Sequence, residues 1–120
     1  MRDPAIRVML LPKDTNAHGT IFGGVLLSQI DLAGAVEARK HTRHRVVTVA
    51  MDRVDFHKPA FVGDVVSFYT SVVCAGNTSI RIRVTVEATR DSDPDLTVLI
   101  TEAEVTYVAV DHDGRKQSLV

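Results

Sequence analysis

The spacing of apolar positions changes twice along this chain, and each change predicts an element. Ala5 to Leu11 is a short apolar run between Pro4 and Pro12, which predicts a first strand. Lys13 to Gly19 is polar and turn-rich, a loop. From Gly23 to about Lys40 the apolar residues recur at three- and four-residue intervals, as at Leu27, Ile30 and Gly34, and predict a helix. Its first half is apolar nearly all round, which predicts a central helix wrapped by the rest of the fold. Glu37, Arg39, Lys40 and His41 make its far end polar and cationic, as the negative end of a helix dipole prefers.

After His44 the period becomes two. Arg45 to Phe56, Val65 to Cys74, Ser79 to Ala88 and Leu96 to Val110 predict four strands, separated by Lys58-Pro59-Ala60, Gly76-Asn77 and Asp91 to Asp95. In the third of these, Ile80, Ile82, Val84 and Val86 fall on one face, and Ser79, Arg81, Arg83 and Thr85 on the other. The order is strand, helix, then four strands expected to join as a meander. That is an α+β arrangement, in which a helix apolar all round needs a sheet that curls about it.

Composition narrows the function classes. With 120 residues, 45% of them hydrophobic, the chain fits one domain over 1–120. A domain of this size leaves much surface exposed, which favours oligomers. A net charge of -1 with mixed signs, no Trp and few other aromatic residues argue against a nucleic-acid surface. No segment approaches the roughly 20 apolar residues needed to span a bilayer, and the N-terminus lacks a signal-like apolar core, so a cytoplasmic location is expected. Cys74 is the only cysteine; its apolar run, SVVCAG, predicts a buried structural thiol. His41 and His44 are three apart, but no carboxylate or cysteine joins them at a recognised spacing, so no metal is expected. The chain has no G-x-S-x-G elbow, P-loop or dinucleotide fingerprint.

Candidate chemistry concentrates in NAHGTIFGGVLLSQID, from Asn16 to Asp31. Asp31 is a carboxylate inside an apolar helix, costly unless something uses or satisfies it. Gly23 and Gly24 stand at the helix entrance, where backbone N–H groups are free to polarise a carbonyl. Each has a plainer reading: Asp31 on a solvated face, the glycines as close-packing positions, and Asn16 as a turn residue.

Taken in order, N-x-x-G-x-x-F-G-G (Asn16, Gly19, Phe22, Gly23, Gly24), the helix with Ser28, Gln29 and Asp31, and F-x-x-P-x-x-x-G-D (Phe56, Pro59, Gly63, Asp64) resemble the hotdog-fold acyl-CoA thioesterases. The similar subgroup is that of the short bacterial acyl-CoA thioesterases and the brain-type acyl-CoA hydrolases. The resemblance spans about Met9 to Val120. It implies a long helix wrapped by a curved antiparallel sheet of about five strands, a homodimer at least, and a trimer of dimers. It also implies hydrolysis of acyl-CoA to free acid and CoA without a cofactor, at sites shared between subunits. Asp31 becomes the general base or nucleophile, and Asn16, from the opposite subunit, lies close to the reacting centre; Gly24 is the expected oxyanion donor with Gly23 beside it. Thr78 and Ser79 match the stretch along the pantetheine arm. Coenzyme A phosphates need cations, for which Arg81, Arg83, the group Lys40, Arg43 and Arg45, and Arg115-Lys116 are candidates. Two rivals stay open: another enzyme on the same fold, such as a dehydratase, and a non-catalytic acyl-CoA binding or sensor module.

Overall fold

A computed structural model describes residues 2–120. Strand β1 is Ile6–Met9, helix α1 is Gly23–Ala38, and strands β2 to β5 are Arg45–Phe56, Val65–Ala75, Ser79–Thr89 and Thr97–Val110. Short 3-10 turns at Pro12–Asp14 and Arg39–His41 flank the helix on either side. β1 is shorter than the apolar run that predicts it. The chain leaves the strand at Leu10, whose N–H donates to the Asp64 carbonyl, and turns at Pro12.

All five strands form one antiparallel sheet in the order β1-β3-β4-β5-β2. The expected four-strand meander is therefore corrected. β3, β4 and β5 are consecutive neighbours, but β2 pairs with β5 at the far edge. A strand has only two edges, and β3 spends one on β4 and the other on β1, through Ile6 to Met9 against Phe68 to Val65. The connection from β2 to β3, with Pro59 and Gly63, is also too long for a tight hairpin.

β4 alternates as its sequence predicts: Ile80, Ile82, Val84 and Val86 are buried, with intervening residues on the opposite face. α1 lies on the buried face through Leu26, Ile30, Ala33, Gly34 and Ala38. This stripe, at intervals of three and four, is one side of a helix. The other side is open: Leu32 is 55% exposed and Val36 is exposed too. Within one chain the sheet therefore curls around only half of a helix that is apolar all round.

The buried thiol expected at position 74 is a second correction. Cys74 is exposed, as is the whole end of β3 from Ser71 to Ala75.

Beneath the helix entrance two loops are tied by Asp64, 2% exposed. It accepts from the Phe61 N–H (3.0 Å), the Asp91 N–H (3.1 Å) and the Arg90 guanidinium (2.7 Å). Gly63 precedes it at φ +90°, where an added Cβ would also press on the Asp91 side chain.

Candidate active site

Asp31 sits in the middle of α1, half-buried, over the cross-strand pair Thr48 of β2 and Tyr107 of β5. The Thr48 hydroxyl donates to Asp31 Oδ1 at 2.7 Å. The Tyr107 hydroxyl donates to the Asp31 main-chain carbonyl at 2.6 Å and lies 3.4 Å from Oδ1. Asp31 Oδ2 has no hydrogen bond among the described residues. One oxygen is thus held and the other is left for a water or a substrate.

Burial pushes the Tyr107 phenol well above its ordinary pKa, and the nearby Asp31 carboxylate adds to the shift. The phenol therefore stays a proton-bearing donor. There is no vacant space at Gly34: a Cβ there would overlap the Tyr107 hydroxyl and press on its ring. Glycine at this helical position admits the tyrosine.

The Asn16 side chain organises its own loop. Its Oδ1 accepts from the N–H groups of His18 (2.8 Å) and Thr20 (3.3 Å), and its Nδ2 donates to Thr20 Oγ1 (2.9 Å). One amide proton stays unused, so the turn role and a contact with substrate are compatible. Gly19, at φ +84°, closes the turn.

α1 begins after Phe22 with no side-chain cap. The Phe22 N–H is taken by the Asp14 carbonyl, while those of Gly23 and Gly24 are first-turn donors with no helical partner. An added Cβ at Gly24 would strike the exposed Phe22 ring, whereas at Gly23 it would make ordinary contact with Phe56. Gly23 lines a cleft of about 400 Å³ with Thr20, Leu26, Phe56, His57 and Lys58. The sequence reading gave no site role to this His57-Lys58 wall, nor to Thr48 and Tyr107.

Asp31 and Gly24 are seven residues apart on one helix, about 10 Å along its axis. A single thioester carbonyl cannot reach both within one chain.

Thr78 and Ser79 lie at the head of β4, where Ser79 pairs with Val108 and Ile80 with Tyr107. By the alternation of β4, Ser79 shares the face of Arg81, away from the helix and Asp31. Arg81 points to the face away from the helix, bound to Glu104 at 3.2 Å and near Asp52 at 3.6 Å. Arg83 is likewise spent on Glu102 and Glu104. At the far end of α1, Arg39, Arg43 and Arg45 line a groove of about 400 Å³. Arg39 and Arg43 have no acidic partner among the described residues.

The profile of the thioesterase superfamily matches residues 18–94. The chain is 40% identical over 119 residues to the acyl-CoA thioester hydrolase YciA of Escherichia coli strain K12, covering 98% of this chain and 90% of that protein. It is also similar to a crystal structure of a hexameric hotdog fold thioesterase of Campylobacter jejuni: TM-score 0.92, 47% identity, 98% of this chain and 90% of that one. A hexameric broad specificity acyl-coenzyme A thioesterase, crystallised as an aspartate-to-alanine mutant, matches with TM-score 0.94 at 38% identity, over 100% of this chain and 88% of that one.

Proposed function

Because the chain belongs to the thioesterase superfamily, we propose that Asp31 drives the hydrolysis of acyl-CoA thioesters to free acid and CoA. The protein is an acyl-CoA thioester hydrolase of the hotdog fold. What carries the role of Asp31 is its setting: a half-buried carboxylate inside an apolar helix, held at Oδ1 by Thr48 and free at Oδ2. Held in that way it acts on the thioester carbonyl, as a general base toward water or as a nucleophile. As a base, Asp31 takes a proton from water as the water oxygen bonds the carbonyl carbon, and that proton goes to the sulfur as the C–S bond breaks. As a nucleophile, it displaces the thiolate to form an anhydride that water then opens to the free acid.

The oxyanion needs donors, and the free N–H groups of Gly23 and Gly24 are suited to it. Their distance from Asp31 supports a site built by two chains, with Asp31 from one protomer and Gly24 and Asn16 from its partner. The open side of α1 and the unpaired edge of β2 support the same assembly, a homodimer built into a hexamer like those of the relatives. Arg39 follows Asp31 by eight residues, about 12 Å along the helix and its terminal turn. Unpaired cations at that range fit the CoA phosphates, and the ion pairs of Arg81 favour the helix end over it. No described helix is long and apolar enough to cross a membrane, and we place the enzyme in the cytoplasm.

The test is CoA release from a panel of acyl-CoAs by the wild type and Asp31→Asn. Turnover should fall by about a hundredfold or more in the variant, with assembly intact. Wild-type turnover in Asp31→Asn would remove the carboxylate from the chemistry. Acyl-CoA bound but uncleaved by the wild type would make the protein a binding module.

A further inference from the structure

We propose that Tyr107 is a positioning residue for the reaction, its hydroxyl anchoring helix α1 at the Asp31 backbone so that the carboxylate keeps its reactive place; this rests on the reading of Asp31 above. Tyr107 is 1% exposed, so its hydroxyl has given up water and must be satisfied inside. Both its contacts are with Asp31: the main-chain carbonyl at 2.6 Å and Oδ1 at 3.4 Å.

Helix geometry already commits that carbonyl to the N–H four residues on. The tyrosine is therefore not needed to satisfy the backbone; it adds a second tie at the residue whose side chain does the chemistry. Thr48, paired with Tyr107 across β2 and β5, ties Oδ1 from the neighbouring strand. Tyr107 thus spends its one proton on the Asp31 backbone while Thr48 holds Oδ1, so adjacent strands fix the helix and the carboxylate at the same residue.

The fold gives up a side chain to make this possible. Gly34 lies one turn beyond Asp31, and any Cβ there would occupy the place of the phenol oxygen. Alanine would be the better helix former at that position. A phenylalanine ring would fill the space under the helix almost as well as tyrosine does, so packing alone does not call for the hydroxyl.

Tyr107→Phe isolates that hydroxyl. Acyl-CoA hydrolysis should show kcat lower by about tenfold or more, as misplacement of a reacting group produces. KM should stay near the wild-type value, because the hydroxyl is bound to the Asp31 backbone and not to the substrate. The melting temperature should be close to wild type. Wild-type kcat in Tyr107→Phe, beside an inactive Asp31→Asn, overturns the positioning role and leaves the role of Asp31 standing. A loss spread over kcat, KM and melting temperature also overturns it, by making Tyr107 a packing residue. Wild-type turnover in Asp31→Asn overturns the underlying reading and this one with it.

Discussion

Asp31 and Glu37 show how one helix treats two carboxylates. Asp31 keeps one oxygen free, whereas Glu37, two turns on, is fully engaged. Glu37 accepts from His41 at 2.8 Å and from Thr70 at 2.9 Å, with Lys40 at 3.7 Å. Burial acts to raise its pKa, but these bonds and charges outweigh it and hold the carboxyl below its ordinary value. A carboxyl depressed in the folded state adds stability above the usual glutamate range and loses it as pH falls through the lowered value. Glu37→Gln should therefore be the less stable protein at neutral pH, and its deficit should shrink on acidification. Thermal melts of both proteins across pH 3 to 7, spanning the usual glutamate range, check this; a deficit independent of pH would sink it. At this scale Asp31 was legible as a candidate, since a carboxylate within the apolar stretch from Val25 to Ala35 stands out. Tyr107 was not, because it lies 76 positions away in a run that reads as ordinary strand core.

At the level of elements, the connection between β2 and β3 is held down by Asp64. Its two oxygens take two backbone N–H groups and the Arg90 guanidinium, itself mostly buried. Removing that carboxylate leaves a cation and two donors unpaired, so Asp64→Ala should lose about 3 kcal/mol or more in denaturant unfolding. An unchanged midpoint would show that the loops hold without it. The elements themselves were legible to within a few residues at their ends, because periods of two and 3.6 are local properties. Their neighbours were not. The sequence places β2 and β3 in succession, yet β1 occupies the β3 edge that a meander would have used.

The whole molecule exposes what a single chain cannot cover. Leu32 and Val36 on the open side of α1, and Val47 and Val49 on the edge strand β2, are large apolar side chains in contact with solvent. An unpaired edge beside such a surface invites pairing with another copy. If the active site is shared between protomers, mass and activity must fall together. Leu32→Lys, which leaves Asp31 and Gly24 in place, should lower the sedimenting mass and abolish most turnover. A smaller species with full kcat would refute the shared site. Small relative size and apolar composition made oligomers legible in the sequence; which face meets a partner depends on how far the sheet curls.

Local pattern determined the helix, the strands and the alternation of β4, and singled out the run from Asn16 to Asp31 as the candidate site, because each depends on neighbours within a few positions. Tertiary structure decided the strand order, the exposure of Cys74, the pairing of Arg81 with Glu104 and the bed of Thr48 and Tyr107 beneath Asp31. Those are contacts between segments far apart in sequence. Their partners are chosen by edge occupancy, by the half-turn of sheet about the helix, and by the one missing Cβ at Gly34.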